Sequence, residues 1–242
     1  MALADDGAHY AIKLFKQKDA NQRCYTGAEA YAHYVAKQLD LSVPDAVLIE
    51  LPKNLLKLVE RVSPDKYADI LGRDYERPAF ATKYLSNLLT YSPALSKKYN
   101  ECGDIETIFA FDTLILNEDR KFRKPNILRS RHNYFLIDHE KSFEGIPYSQ
   151  SLFNIGTLCP YSKYHLFFKI LKKKAKKEGT KKLFENFEYL FSIASLNGLK
   201  DIRHQLNSLN YNTDECELWE NYLKEKKQNL SKFITTLKSS LK

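Results

Sequence analysis

Phe111-Asp112-Thr113-Leu114-Ile115-Leu116-Asn117-Glu118-Asp119-Arg120, then Asn126-Ile127-Leu128, then Phe135-Leu136-Ile137-Asp138-His139-Glu140-Lys141-Ser142-Phe143, is the stretch on which the fold turns. Ile105–Leu116 is a nearly continuous apolar run, long enough for a buried helix, and it stops at Asn117. A polar loop carrying Asp119 follows, and Asn126 lies seven residues after Asp119. Tyr134–Ile137 then reads as a short apolar strand that delivers Asp138, twelve residues after Asn126. A loop Asp and Asn beside a strand-end Asp offer oxygen ligands of the kind magnesium prefers, with room left for substrate oxygens. Asn126 and Asp138 are therefore the candidate metal ligands, and Asp119 is the candidate reactive carboxylate. Arg120 either holds this loop or sits on the surface, and His139 reads as a hydrogen-bonding group rather than a base.

Working outward, the first third mixes strand and helix. His9–Phe15 is strand-like, with Asp5-Asp6-Gly7 before it as a turn. Thr26–Leu39 reads as a helix in which Thr26 caps the start and Glu29 completes a capping box. Pro44–Leu51 and Pro78–Tyr84 read as strands, and Asn54–Arg73 carries no clear signal. From about residue 85 helices dominate, over 164–177, 181–195, 198–208 and 215–240. The fold class expected is α+β, with a small sheet-containing part at 1–85 and a large helical part at 86–242, the latter bearing loops at 117–126 and 138–143.

Composition narrows the class of function. The 242 residues, with 13% aromatics, suit a globular protein. No run of about 18 apolar residues is present, so no membrane span is expected. Met1–Tyr10 carries Asp5 and Asp6 without an apolar core, which does not read as a signal peptide. Cys24, Cys102, Cys159 and Cys216 lie far apart with no CxxC pair, which argues against a zinc cluster and for a reducing, cytoplasmic setting. The net charge of +8 is local: residues 1–150 hold equal numbers of basic and acidic side chains, whereas 163–182 hold nine lysines and one acid, Glu178. That segment has three readings: a solvated helix face, a footprint for nucleic acid or an acidic partner, or a membrane-surface contact.

Phosphoryl transfer needs metal to neutralise phosphates, a carboxylate for the acceptor hydroxyl and a lysine on the phosphates. Lys13 closes Tyr10-Ala11-Ile12-Lys13, which is similar to the kinase strand Val-Ala-Ile-Lys, whose lysine is held by a helix glutamate. Glu29 is the natural partner. Together with the quoted stretch and Leu39-Asp40-Leu41-Ser42-Val43-Pro44, the sequence over about residues 7–145 resembles the HipA-like kinase family. Its pattern is Phe-Asp-x-x-(Ile/Val)-x-Asn-x-Asp-Arg, a further Asn, and (Leu/Ile)-Ile-Asp-His-x-x-(Ala/Ser)-hydrophobe. The resemblance implies a two-lobed protein-kinase-like fold and transfer of phosphate from ATP, with Mg2+, to serine or threonine. It implies Asp119 as catalytic base or orienting carboxylate, Asn126 and Asp138 on the metal, and Lys13 on phosphate.

Two departures from the pattern bear on activity. Protein kinases place a metal-binding Asn five residues after the catalytic Asp, and here that position is Lys124. Only twelve residues precede Lys13, and the upstream strand and phosphate-covering loop of relatives have no counterpart among them. The small lobe is accordingly expected to be truncated, with a partner chain able to complete it. Three functions stand side by side: an active protein kinase or autokinase, a catalytically impaired kinase-like binding module, and a nucleic-acid-binding protein using the basic helix at 163–182.

Overall fold

Alternating burial sets the first sheet. The computed structural model describes residues 1–16, 24–71, 76–92, 103–130 and 133–242. Strand β1 (Ala2–Leu3) pairs antiparallel with β2 (His9–Ile12), which buries Tyr10 and exposes Ala11. Asp6 shapes the connecting turn: Oδ1 accepts from the Ala8 amide at 2.9 Å and Oδ2 from the Tyr10 hydroxyl at 2.8 Å. With β3 (Ala46–Ile49) and β4 (Ala79–Lys83), these strands form a four-stranded sheet in the order β1-β2-β4-β3. β4 runs antiparallel to both its neighbours, and the Lys13 amide continues the ladder by donating to Phe80 O at 2.9 Å.

Helix α1 (Tyr25–Gln38) lies against this sheet, and its small residues bury it on most sides. Its cap differs from expectation. Cys24 caps it, with Sγ accepting from the Gly27 amide at 3.3 Å, while Thr26 is buried inside the first turn. Glu29 plays no part in capping; it faces the cleft described below. Asp40 ends the helix in the left-handed region (φ 52°), which lets the Leu41 amide reach back to Ala36 O at 3.0 Å. The unassigned stretch after β3 folds as α2 (Lys53–Val62) and α3 (Pro64–Leu71).

A second sheet, β5-β6-β7, consists of Leu89–Thr90, Ile127–Arg129 and Tyr134–Leu136. Between β5 and β6 lies the expected buried helix, α4 (Ile105–Leu114). Asp104 caps it by accepting from the amides of Glu106 and Thr107 at 3.0 and 3.1 Å. It ends two residues earlier than its apolar run because Leu116 turns left-handed (φ 57°), allowing the Asn117 amide to bond Asp112 O at 2.8 Å.

The remainder is helical: α5 (Ile146–Asn154), a 3₁₀ turn at Pro160–Tyr164, α6 (Phe168–Glu178), α7 (Glu185–Ile193), α8 (Gly198–Ser208), α9 (Cys216–Gln228) and α10 (Leu230–Ser240). α5 was not foreseen from sequence. The expected single helix over 215–240 is two, parted at Asn229, whose backbone (φ −104°, ψ 32°) leaves the helical region while its side-chain amide donates to Glu225 O at 3.0 Å. The expected starts at 164 and 181 move to Phe168 and Glu185, since Leu166 is drawn into an extended contact, its amide donating to Arg120 O at 3.0 Å, and Phe184 is left-handed (φ 67°).

Architecturally the chain mixes helix with small sheets, as an α+β protein does. One apolar core runs from Ala28, Tyr31 and Val35 of α1 through Phe109 and Phe111 of α4 to Trp219, Leu223 and Phe233. α1 packs closely on α8; a Cβ on Gly198 would lie 2.7 Å from the Tyr34 ring. Cys24, Cys159 and Cys216 are buried free thiols, and Cys102 lies outside the described residues. No helix among the described residues is long and apolar enough to cross a membrane.

Candidate active site

Three chain segments far apart in sequence meet at the Lys13 ammonium. Lys13 stands just past the end of β2, Glu29 on the second turn of α1, and Asp138 two residues after β7. Lys13 Nζ is hydrogen-bonded to Glu29 Oε1, lies 2.5 Å from Asp138 Oδ1 and 3.3 Å from Glu140 Oε2. Glu29 is almost fully buried and is fixed from the other side by the His139 amide, which donates to Oε1 at 3.0 Å. Burial by itself would lower the Lys13 pKa, but the three carboxylates outweigh it and hold the ammonium above its ordinary value. Burial opposes ionisation of Asp138 and Glu29, yet Lys13 and their hydrogen bonds keep both carboxyls below the usual range. Glu140 goes the other way: burial pushes it up, and Asp138 and Glu29 add to this against the pull of Lys13.

Asp119 sits across from this group and is joined to it by Lys124. Lys124 Nζ lies 2.5 Å from Asp119 Oδ2 and 2.9 Å from Asp138 Oδ2. Burial lowers the Lys124 pKa somewhat; its bonds to Asp119 and Asp138 dominate and push it up to about 12. The Asp119 loop is held by Asn117, whose Oδ1 accepts from the Asp119 amide at 3.1 Å.

Beneath the loop lies a fully buried ion pair. Arg120 Nε and Nη2 grip Asp112 Oδ2 and Oδ1 at 2.5 and 3.2 Å. Nη1 donates to the carbonyl of Asn126 at 2.5 Å, and Nη2 meets His139 Nε2 at 3.0 Å. Asp112 also receives His165 Nε2 at 2.9 Å and Asn117 Nδ2 at 2.8 Å. Burial opposes a charged Asp112, but Arg120 and His165 keep its carboxyl well below the ordinary range. Arg120 thus ties the Asp119 loop, Asn126 and the segment after β7 into one frame. It is a buried structural residue, and the surface alternative is set aside. His139 serves as a hydrogen-bonding group between Arg120 and Glu29.

Asn126 lies at the start of β6 with φ 51°, and Asp138 has φ 67°. Left-handed backbone is least costly for Asn and Asp among non-glycine residues, so both positions suit their residues. The Ile137 amide donates to Asn126 O at 3.1 Å, which sets the two loops side by side. Asn126 Nδ2 is buried without a hydrogen-bond partner among the described residues. A buried amide left unmet is costly unless a ligand completes it.

Most of the chain matches one family. The family model described as HipA-like kinase matches residues 1–221 of the 242. The chain belongs to the HipA-like kinase family. No curated protein and no solved structure matches it. Membership of the HipA-like kinases supports a kinase-like function in general terms and makes ATP and Mg2+ the ligands to test against the cleft. The residues offer oxygen ligands to a divalent cation: one oxygen each from Glu29, Asp138 and Glu140 lie within 4.8 Å of one another, while the unmet Asn126 Nδ2 is a donor and suits an anionic oxygen.

Lys13, Glu29 and Asp138 are brought into direct contact, Asp119 is linked to them through Lys124, and Asn126 joins through its backbone. Sequence reasoning missed Glu140 and the Asp112–His165 pairing. Glu140 follows His139 directly, so an acid beside the expected metal ligand was the available signal. His165 had none, because it reaches Asp112 across 53 residues of chain.

Proposed function

We propose that this cleft is an ATP- and Mg2+-dependent phosphotransferase site acting on a protein serine or threonine, or on the chain itself. The observation that carries the reading is Lys13 Nζ standing between Glu29 and Asp138, joined across 125 residues of sequence. An ammonium so held is positioned to meet the phosphates of ATP, with Glu29 fixing its direction. Asp138 and Asn126 are the metal ligands, and a magnesium ion held there supplies neutralisation of the phosphate oxygens. Asp119 orients the acceptor hydroxyl and accepts its proton. Residues 1–85 form the small lobe and 86–242 the large one.

Purified chain with labelled ATP and Mg2+ is expected to transfer phosphate, and Asp119→Ala is expected to abolish transfer. Equal labelling by that variant would sink the assignment of Asp119. A second reading is favoured by one specific contact: the ion pair from Lys124 covers the Asp119 carboxylate. In that reading the chain is a binding module, and nucleotide is taken up without turnover at any ATP and Mg2+ concentration.

A further inference from the structure

Lys124 does more than replace a neutral residue. The segment Lys121–Lys124 closes on itself, with the Lys121 amide donating to Lys124 O at 2.9 Å and the Lys124 amide to Lys121 O at 3.1 Å. That turn directs the Lys124 side chain back over the loop it leaves. Its ammonium touches the candidate base, Asp119, and the candidate metal ligand, Asp138, at the same time. Protein kinases fill this region with two magnesium ions, held by the strand-end Asp and the catalytic-loop Asn. Here Asn126 keeps the ligand role, and Lys124, five residues after Asp119, brings a fixed positive charge of its own between Asp119 and Asp138.

Charge matching points the same way. Glu29, Asp119, Asp138 and Glu140 face two ammonium groups, Lys13 and Lys124. The Arg120–Asp112 pair beneath is self-compensated. Two negative charges are left over before nucleotide enters, and the anionic phosphates add to them, so the Lys124 ammonium is drawn on for neutralisation together with any divalent cation. With Asn at 124 the excess would be three before the phosphates are counted, one positive charge fewer, which a further cation would make good. The side chain is half exposed, so it can follow phosphate oxygens without disturbing the core.

We propose that Lys124 is a built-in cation standing in for one divalent ion, so that this cleft takes nucleotide with one metal ion rather than two. The proposal rests on the kinase reading above and specifies its metal stoichiometry.

The test counts manganese ions by electron paramagnetic resonance in the presence of a non-hydrolysable ATP analogue, whose own binding is measured in parallel by equilibrium dialysis. One ion per nucleotide-bound chain is expected for the wild type and two for Lys124→Asn. In excess chelator the wild type should retain residual analogue binding, and Lys124→Asn should weaken it by about tenfold or more, the size of one charge-assisted hydrogen bond. Two manganese ions in the wild type, or an unchanged count and unchanged metal-free affinity in the variant, overturn the proposal while leaving the kinase reading intact. Absence of analogue binding under every condition overturns both.

Discussion

The molecule carries two concentrations of lysine that behave as opposites. In the cleft, Lys13 contacts three carboxylates and Lys124 two, and both ammonium groups are held above their ordinary pKa. On α6, Lys169, Lys172, Lys173, Lys176 and Lys177 are exposed, and among the described residues only Lys174 of this helix meets a carboxylate, Glu106 at 2.5 Å. Phe168, Leu171 and Ala175 bury the other side of the helix. The same side chain is thus a positioned reagent in one place and a solvated charge in the other. What separates them is the frame: buried Asp112, Arg120 and His139 fix the carboxylates around the cleft, whereas the residues that α6 itself buries, Phe168, Leu171 and Ala175, are apolar.

Breaking the frame should have the largest effect. Asp112→Ala leaves the Arg120 guanidinium buried and uncompensated, and should cost about 3–5 kcal/mol in chemical denaturation. A change under 1 kcal/mol would mean that the frame is not what holds the loops. Next is Lys13→Met, which keeps the apolar stem and removes the charge. It should reduce phosphate transfer by about 10²–10³-fold, the usual cost of losing one preorganised donor to developing charge, with the far-ultraviolet spectrum unchanged.

The paired charges also predict a pH profile. Asp112, Glu29 and Asp138 have depressed folded-state values, so their stabilisation is present above the ordinary carboxylate range and is lost as pH falls below about 4. Lys13 and Lys124 have raised values, so theirs is complete below about 10.4 and is lost above it. Thermal unfolding followed from pH 2 to 11 should show a plateau with two falling limbs, and Asp112→Asn should flatten the acid limb. The smallest effect belongs to α6. Replacing Lys172, Lys173 and Lys176 together by Glu should shift stability by no more than about 0.5 kcal/mol per site and leave nucleotide binding unaltered. If it does remove a salt-dependent interaction with RNA or DNA, the contrast between the two regions fails, and α6 is a binding surface in its own right.

Much of this arrangement could be read from sequence where the signal is local. The apolar run Ile105–Leu116, the Asp119 loop and the strand before Asp138 are each decided by neighbours within a few residues, and each appears close to where the pattern put it. The strands at 46–49 and 79–83 were foreseen for the same reason. What escaped the sequence depends on distance or on a single side chain. Thr26 looked like a cap, but the tertiary position of α1 buries it and gives the role to Cys24. Asn229 parts two helices by a change of backbone angle at one residue, which no apolar period records. Glu29 was paired with Lys13 from the kinase pattern, but its bond to the His139 amide, 110 residues away, exists only in the fold.

The central claim is that Asp138, gripped by Lys13 and Lys124, is the metal-bearing carboxylate of a nucleotide site. Asp138→Asn tests it most directly. Asparagine tolerates the φ of 67° and preserves the side chain's shape, so the variant should fold as the wild type does. Calorimetric titration with ATP and Mg2+ should show Mg2+-dependent binding to the wild type and, in the variant, only the weak binding that persists without metal. Equal affinity in the two would contradict the account.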